Sequence, residues 1–303
     1  MSAAAPVEAS GPGSTAAVAI TGLRKRFGKF VAVDDLSLEV PAGAIYGLIG
    51  PNGAGKTTTF AVISSVLAPS SGSLSVLGHD PVASPQEVRR VLGYMPDSLG
   101  VYADLDVDEY LRFFAAAYKI PARSRPGLLD GLLELVALEG KRTARVDSLS
   151  RGMKQRLSLA RALVHDPEVL ILDEPASGLD PRARSELRAL LVHLSEMGKT
   201  IVISSHILSE IEEVCSHIAI MQSGRIVAAG DTGEVSSLLT GGRRLRARFA
   251  DGTVEEFTAE SAPEQAALLR GLANDDARSL VEFSRVGGGL EEIFLSLTHG
   301  GDE

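Results

Sequence analysis

The sequence predicts an α/β protein with a mainly parallel sheet and a small α+β unit appended at its C-terminal end. The first sign is an apolar run at residues 44–49, which leads through a glycine-rich turn into a helix-compatible segment at residues 58–67. The second is Val169–Leu172, an uninterrupted apolar run typical of a strand buried on both faces of a parallel sheet. The third is a change of composition after Asp231, followed by the hairpin turn signal Asp251-Gly252.

Length and composition limit the domain count and the kinds of partner. A chain of 303 residues can hold one large domain and a small appendage. The net charge of -9 disfavours a nucleic-acid partner, and we expect none. The single cysteine, Cys215, excludes an internal disulfide framework and a cysteine-rich zinc site, and it suits a reducing compartment. No apolar run approaches the length of a membrane-spanning helix.

The N-terminal part predicts a tail followed by an antiparallel β subdomain. Residues 1–17 are rich in Ala, Ser, Gly and Pro and lack the basic start and apolar centre of a secretory signal, so we expect a disordered tail. Residues 18–27 and 30–40 read as strands, and residues 41–43 form the turn into the next strand. Phe27 could stack on a flat ring, although the burial habits of phenylalanine alone favour a core position.

Residues 50–57 fit the phosphate-loop pattern G-x-x-x-x-G-K-[ST] at every fixed position. Backbone N–H groups at such a turn form an anion site, and glycine lets the chain curl close around phosphate oxygens. Lys56 is expected to reach the β- and γ-phosphates, and the Thr57 hydroxyl to hold Mg²⁺. An ordinary strand–turn–helix corner is disfavoured because the full pattern stands in its required context. The candidate phosphate-binding residues are Gly50, Pro51, Asn52, Gly53, Ala54, Gly55, Lys56, Thr57 and Thr58.

A helix-rich middle is predicted at about residues 97–165. Its apolar residues recur at helical spacing, and most of them are interpreted as purely structural. Ser150 suits the N-cap of the last of these helices, whose exposed N-terminus is a second anion site. Between the phosphate loop and residue 164 we expect a strand at 71–77, a helix at 85–92, a segment at 93–97 that leads into the helical middle, and helices at 107–119, 124–138 and 151–164.

Two carboxylates follow the buried strand, at the strand end where open α/β sheets bind ligands. Asp173 can hold Mg²⁺ through water, and Glu174 can polarise an attacking water. The alternative is an N-cap aspartate followed by a surface glutamate, which the strand context disfavours. A further strand at residues 200–204 ends near His206, for which a phosphate contact is therefore plausible.

The main domain is expected to span residues 18–235 and the C-terminal unit residues 236–303. This unit contains no catalytic constellation. The remaining predicted elements are helices at 181–197 and 207–214, a hairpin at 217–221 and 225–228, a linker at 236–244, strands at 245–249, 253–257 and 280–286, and helices at 264–273 and 290–297.

The order of these motifs resembles the ATP-binding cassette family, the motor subunits of ABC transporters, over residues 18–230. The phosphate loop alone would indicate only an NTPase, but Leu149-Ser150-x-Gly152 upstream of Asp173-Glu174 makes the resemblance specific. The resemblance implies a P-loop NTPase core with a helical subdomain, ATP and Mg²⁺ as cofactors, and ATP hydrolysis coupled to transport. It also implies a dimer, with the same chain or with another cassette subunit, that sandwiches two ATP molecules.

The resemblance assigns roles to residues outside the phosphate loop. Phe27 falls at the adenine-stacking position, where the family more often has tyrosine. Glu174 would be the general base, His206 the γ-phosphate contact and Lys56 a further catalytic group, with Thr57, Asp173 and Asp97 at the metal. The residues that would serve the opposite chain's ATP are Ser150, Gly152 and Asp180.

The chain departs from the family pattern at two places. Asp97 stands where the family usually has glutamine; it can ligate Mg²⁺ but cannot donate a hydrogen bond when ionised. The signature Leu-Ser-Gly-Gly-Gln reads Leu-Ser-Arg-Gly-Met here, with Arg151 and Met153 as the substitutions. Residues 100–105 and the appended unit resemble cassettes paired with a separate ABC-2-type exporter permease. That likeness implies a peripheral protein on the cytoplasmic side of the membrane, with its partner contact near residues 97–104.

Two rival functions fit the sequence less well. Cassette proteins acting on ribosomes or DNA carry two cassettes, zinc modules or long coiled coils, whereas this chain has one phosphate loop, one cysteine and an acidic balance. A degenerate, non-hydrolysing partner subunit would lack catalytic groups, whereas Glu174 and His206 are both present.

Overall fold

The computed structural model describes residues 16–97, 104–207, 211, 213–239, 243–259, 262–275 and 278–285. The predicted tail up to residue 15 and the predicted last helix at 290–297 lie outside these residues, as do residues 98–103 of the partner contact predicted near 97–104. So does half of the predicted helix at 207–214. In the part that the structure describes, no helix is long and apolar enough to span a membrane.

Twelve strands and eight α-helices are found in the described residues, with three consecutive strands at the start and three consecutive α-helices in the middle. The strands are β1 (Ala16–Phe27), β2 (Phe30–Pro41), β3 (Ile45–Ile49), β4 (Ser71–Val76), β5 (Leu92–Met95), β6 (Val169–Leu172), β7 (Thr200–Ser205), β8 (His217–Gln222), β9 (Arg225–Asp231), β10 (Arg243–Phe249), β11 (Val254–Ala259) and β12 (Leu280–Arg285). The helices are α1 (Lys56–Ile63), α2 (Pro85–Val91), α3 (Val107–Ala117), α4 (Arg125–Leu135), α5 (Arg151–Leu163), α6 (Pro181–Glu196), α7 (Thr232–Leu239) and α8 (Ala262–Ala273).

The central sheet has six strands in the order β5-β6-β7-β3-β8-β9, and only β9 is antiparallel to its neighbour. Strands β3, β6 and β7 are buried along their whole length, as their continuous apolar runs predict for a parallel sheet covered on both faces. The register pairs Ile49 with Ser205 and Leu172 with Ile203, so the carboxyl ends of these strands meet at one edge. The predicted mainly parallel sheet is confirmed.

A second sheet, β2-β1-β4, is antiparallel and packs its apolar face on helix α1 through residues such as Phe60. This is the antiparallel N-terminal sheet that the sequence predicts. Strand β1 begins at Ala16, earlier than expected, so Ala16 and Ala17 belong to the strand rather than to the tail.

Helices α3, α4 and α5 form the predicted helical part. Asp106 caps α3 in a capping box with Glu109, which satisfies two backbone N–H groups at the helix start. Tyr110, Leu129 and Leu157 are completely buried in one core that continues under the sheet. The large apolar face of the middle is therefore structural, as predicted.

Several boundaries differ from the sequence prediction, among them those of α1, β5 and the expected linker. Helix α1 ends at Ile63 because Ser65 takes a left-handed backbone conformation, φ 56°, that a helix cannot continue through. Strand β5 was expected only as a lead-in to the helices, since its short apolar run contains Gly93. This glycine is needed because a Cβ there would overlap the carbonyl oxygen of Ala162. The predicted linker at 236–244 is wrong at both ends, because α7 runs to Leu239 and β10 begins at Arg243.

The C-terminal unit has a sheet of its own, β11-β10-β12, with α8 packed against it. Leu245, Ala247 and Phe249 are buried, as the alternation of β10 predicts. Arg246 pairs with Glu256 and Arg248 with Glu282 across neighbouring strands. The predicted hairpin around Asp251-Gly252 is confirmed.

Candidate functional site

The predicted phosphate-loop residues, Asp173, Glu174 and His206 gather where β3, β6 and β7 end. The loop at 50–55 follows β3, Asp173 and Glu174 follow β6, and His206 follows β7. Since β7 lies between β3 and β6 in the sheet, their three carboxyl ends bring loop, carboxylates and imidazole together. The site thus depends on strand order, which the sequence alone does not reveal.

The loop glycines are required by the protein's own backbone. A Cβ on Gly50 would overlap the carbonyl oxygen of Met221, and one on Gly55 would come within 2.5 Å of the carbonyl oxygen of Ala32. Gly55 also has φ 109°, a conformation that side chains disfavour. The sequence-based reason, room for phosphate oxygens, is therefore incomplete, since β2 and β8 press on the loop from behind.

Lys56 is the first residue of α1, and its side chain is only 6% exposed. Its ammonium donates to the carbonyl oxygens of Gly50 at 2.7 Å and Pro51 at 3.3 Å. It also lies 3.3 Å from Oε1 of Glu174. A buried cation that bridges the loop and a carboxylate is placed to meet the phosphate groups of a ligand held by the loop.

Asp173 is fully buried at the end of β6. Burial raises the pKa of this carboxyl group, while the hydrogen bond from Ser204 and the neighbouring Thr57 hydroxyl oppose the rise. Ser204 Oγ donates to Oδ1 at 2.6 Å, whereas Oδ2 has no hydrogen-bond partner within the described residues. A buried carboxylate oxygen without a partner beside a threonine hydroxyl fits a hydrated Mg²⁺ ion, whose preferred ligands are oxygens.

Asp97, the third predicted metal residue, is exposed just beyond β5. Its charge contributes to the raised pKa of Asp173, which places the two carboxylates within electrostatic reach of each other. No direct contact joins Asp97 to Asp173 in the part of the chain that the structure describes.

Glu174 has a left-handed backbone, φ 49°, which is unusual for a residue with a side chain. Its N–H donates to Ser204 Oγ at 2.9 Å, and its Oε2 lies 2.8 Å from Nδ1 of His206. The carboxylate thus stands between Lys56 and His206 beside the loop. Such a group can accept a proton from a water molecule and orient it for attack.

Ser204 is a site residue that the sequence reasoning missed. It donates to Asp173 and accepts from the N–H of Glu174, and it is fully buried. The signal available in the sequence was a polar pair, Ser204-Ser205, at the end of an apolar strand. Only the sheet register shows that this hydroxyl faces the carboxylates.

Ser150, Gly152 and Asp180 lie together on a different surface. Ser150 caps α5 by accepting from the N–H of Met153 at 3.3 Å, and Asp180 caps α6 by accepting from the N–H of Ala183 at 2.9 Å. A Cβ on Gly152 would stand 3.7 Å from that of Ala183, so packing within the chain does not require glycine. Both helix N-termini present backbone N–H groups, which suits an anion supplied from outside the chain.

Phe27 lies at the tip of the β1–β2 hairpin, paired with Phe30. Its side chain is 46% exposed, so the core position favoured by composition alone is wrong. The ammonium of Lys25 lies 5.0 Å from the centre of its ring. An exposed ring is available for stacking on a base.

Comparison with known proteins gives consistent results. A family model described as ABC transporter matches residues 33–177. Nod factor export ATP-binding protein I of Ralstonia nicotianae is 39% identical over 74% of this chain and 70% of its own length. The protein of the same name from Cupriavidus pinatubonensis is 34% identical over 97% of this chain and 94% of its own length, so the likeness continues through the C-terminal unit.

Solved structures share the fold. An ATP-binding subunit of an ABC transporter superposes with a TM-score of 0.65 at 31% identity, covering 72% of this chain and 90% of its own. The cbiO1 subunit of the cbiONQ ABC transporter complex of Clostridium perfringens gives a TM-score of 0.66 at 28% identity, covering 73% and 90%.

Proposed function

Since this chain belongs to the ATP-binding cassette family of ABC transporters, we propose that it hydrolyses ATP to power export through a separate ABC-2-type membrane permease. ATP hydrolysis coupled to transport is the activity of the family. The observation that carries the proposal is the Glu174 carboxylate, held between Lys56 and His206 beside the phosphate loop. Two of the similar proteins are named for Nod factor export, and we carry over the direction of transport but not the cargo.

Each residue of the site has a role in the proposed reaction. The backbone of residues 50–55 and the Lys56 ammonium hold the β- and γ-phosphates, and the exposed Phe27 ring stacks on adenine. Glu174 orients the attacking water and accepts its proton as the oxygen bonds to the γ-phosphorus and ADP leaves. His206 contacts the γ-phosphate and fixes the Glu174 carboxylate.

Thr57 and Asp173 would hold the Mg²⁺ ion, with Asp97 as a further ligand. The unpartnered Oδ2 of Asp173 and the adjacent Thr57 hydroxyl support this assignment. The ion would neutralise charge on the phosphate oxygens. Ser204 keeps both Asp173 and the backbone of Glu174 in position.

A single chain supplies half of each ATP site in this proposal. Ser150, Gly152 and Asp180 form a surface next to the helix N-termini of α5 and α6, and their contacts in the described residues are with those helices and the turn between 176 and 180. We assign this surface to the γ-phosphate and phosphate loop of a second cassette. The partner is another copy of this chain or a second cassette subunit.

The membrane partner is proposed to dock on the cytoplasmic side of the membrane, near residues 97–104 and in a groove between helix α2 and the helical part. The groove has a volume of about 490 Å³ and lies between α2, the end of α5 and the α3–α4 connection. Tyr118 is 40% exposed at its rim and stacks on His165 at 3.8 Å between ring centres. Its lining residues are Arg90, Tyr118, Ile120, Ser124, Leu128, Val164, His165 and Asp166.

The ATPase assignment is tested by Lys56→Ala. Removing the ammonium that faces the phosphates should abolish hydrolysis, measured as phosphate release by the purified chain. Lys141→Ala, which removes a lysine from the short 3-10 turn after α4, is the matched control and should hydrolyse ATP at the wild-type rate. Wild-type hydrolysis by a folded Lys56→Ala protein would refute the phosphate-loop assignment.

The docking groove is tested by crosslinking from introduced cysteines. Arg90→Cys and Ser124→Cys should form crosslinks to a membrane subunit in native membranes, because both line the groove. Cys215 is buried and should not interfere, and Thr258→Cys, exposed on the C-terminal unit, is the control. Crosslinks from Thr258→Cys but not from the groove would place the interface on the C-terminal unit instead.

A further inference from the structure

Arg151 replaces a glycine of the family signature, and its side chain has a defined partner in this fold. Its Nε donates to the carbonyl oxygen of Ser177 at 3.0 Å, and its Nη2 donates to the Ser177 hydroxyl at 3.2 Å. The planar guanidinium therefore binds one residue through two parallel hydrogen bonds, a geometry that lysine cannot reproduce. The first residue of α5 is thus joined to the turn that follows β6.

The turn is shaped to receive this side chain. Gly178 has φ 67°, and a Cβ there would lie 2.5 Å from Cζ of Arg151. Glycine at 178 therefore satisfies the backbone conformation and leaves room for the guanidinium at the same time. Arg151 and Gly178 are therefore sterically matched.

The same turn begins at the catalytic glutamate. The N–H of Ser177 donates to the carbonyl oxygen of Glu174 at 3.1 Å. Glu174 holds a left-handed backbone conformation that its surroundings must maintain, because side chains disfavour it. A displacement of Ser177 would therefore be passed to Glu174 through one short turn of chain.

The other end of the connection is the surface that faces a second cassette. Arg151 lies between Ser150 and Gly152 in the sequence. Gly152 is close to the turn, since a Cβ added to it would lie 3.5 Å from the side chain of Leu179. When Ser150 and Gly152 bind the γ-phosphate of the opposite chain's ATP, the N-terminus of α5 is held in place, and Arg151 is held with it. Binding at one ATP site is in this way linked to the base of the other.

We propose that Arg151 is a positioning residue, which sets the orientation of Glu174 in this chain's own ATP site when the signature helix engages the partner's ATP. The inference rests on the proposed two-cassette ATPase. It gives the departure at Arg151 a mechanical role that glycine could not have, since glycine has no side chain with which to hold Ser177.

The experiment compares ATP hydrolysis by the full-length wild type, Arg151→Ala, Arg151→Lys, Ser177→Ala and the double variant Arg151→Ala with Ser177→Ala. Arg151→Ala should lower kcat about tenfold with little change in the KM for ATP, because the base is misplaced but the phosphate loop is intact. The Hill coefficient for ATP should fall towards one. Arg151→Lys should recover only part of kcat, since it keeps the charge and loses the two-bond geometry.

The double variant shows whether Arg151 and Ser177 act through their shared contact or affect kcat independently of each other. It should be no slower than Arg151→Ala, because Ser177→Ala removes only an acceptor that Arg151 uses. Arg112→Ala, which removes an exposed arginine paired with Asp108 in the same helical part, is the control and should keep the wild-type kcat and Hill coefficient. Thermal unfolding of each variant identifies any loss of folded protein.

Three results would overturn the proposal. The first is a folded Arg151→Ala protein with wild-type kcat and Hill coefficient. The second is a raised KM with unchanged kcat, which would mean that Arg151 binds nucleotide directly. The third is additive loss in the double variant. Absence of ATP hydrolysis in the wild type would instead refute the proposed function itself, so the two failures are distinguishable.

Discussion

Ser204 connects the carboxylate of Asp173 to the backbone of Glu174 through one hydroxyl. The hydroxyl donates a hydrogen bond to Oδ1 of Asp173 and accepts one from the backbone N–H of Glu174. The bond to Asp173 is buried and the bond from the Glu174 N–H is partly buried, so leaving either group unpaired would be costly. Ser204 therefore fixes the backbone of Glu174 at the unusual conformation that aims the carboxylate at Lys56 and His206.

We expect Ser204→Ala to lower kcat about tenfold and to leave ATP binding nearly unchanged, because the phosphate loop is untouched while Glu174 loses a support. The N–H of Glu174 is left without a partner, so the free energy of unfolding should fall by about 1–3 kcal/mol. Steady-state kinetics and urea unfolding measure the two effects.

The control for this prediction is Ser195→Ala. Ser195 donates to the carbonyl oxygen of Gly43 at an exposed position remote from the carboxylates, so its loss should leave kcat unchanged. If Ser204→Ala raised the KM for ATP without lowering kcat, the hydroxyl would serve nucleotide binding rather than the positioning of Glu174.

At the residue scale, the sequence predicts the groups whose spacing is fixed along the chain. Lys56, Asp173 and Glu174 belong to continuous motifs with recognisable flanks, and the structure places them at one sheet edge. Ser204 and the carbonyl of Met221 could not be predicted, because their contacts depend on which strands are neighbours. The general tendency of phenylalanine to be buried gives the wrong prediction for Phe27, because this residue lies exposed at a hairpin tip.

At the element scale, helix α7 belongs with the main domain rather than with a linker. Val235 is 1% exposed and lies in the main core cluster. The Thr232 hydroxyl donates to the carbonyl oxygen of Cys215 at 2.7 Å, and the Thr232 N–H donates to that of Ser216 at 3.1 Å. These contacts attach α7 to strand β8 and the segment before it.

Truncation after Leu239 should therefore preserve ATP hydrolysis and stability, because it removes only the unit that contains β10–β12 and α8. Truncation after Gly230 should lower the free energy of unfolding by about 3 kcal/mol, from one buried valine and the Thr232 hydrogen bonds. Chemical denaturation of the two products measures the difference. Equal stability would show that α7 contributes nothing to the main domain, and loss of ATP binding in a folded Leu239 product would give the C-terminal unit a role in the site.

Elements with a strong pattern could be predicted from the sequence, and elements that depend on context could not. Strands β3, β6 and β7 are continuous apolar runs whose burial follows from composition. Strand β5 is short, contains Gly93 and forms only because β6 provides its pairing partner. Helix α7 follows a strand within a stretch rich in Ser and Gly, and its packing on the core outweighs its weak propensity.

At the scale of the whole molecule, we propose that the chain presents two separate halves of an ATP site. One half is the phosphate loop with Lys56, Glu174 and His206, and the other is the surface formed by Ser150, Gly152 and Asp180. In the second surface Ser150 and Asp180 cap their own helices, and a Cβ at Gly152 would make only ordinary contacts with Leu179 and Ala183. In this proposal a second cassette supplies the facing half of each ATP site.

The central claim is tested most directly by the oligomeric state of Glu174→Gln with and without ATP and Mg²⁺, measured by size exclusion with light scattering. The amide keeps the shape of the side chain but cannot accept the proton, so turnover should fall roughly 10²–10⁴-fold while ATP binding survives. The account predicts an ATP-dependent dimer that persists in this variant and is transient in the wild type. Adding Ser150→Arg should abolish that dimer, because a bulky cation would enter the space of the opposite γ-phosphate. Normal turnover by Glu174→Gln would remove Glu174 from its role as general base. An ATP-bound monomer would contradict a shared site built from two copies of this chain.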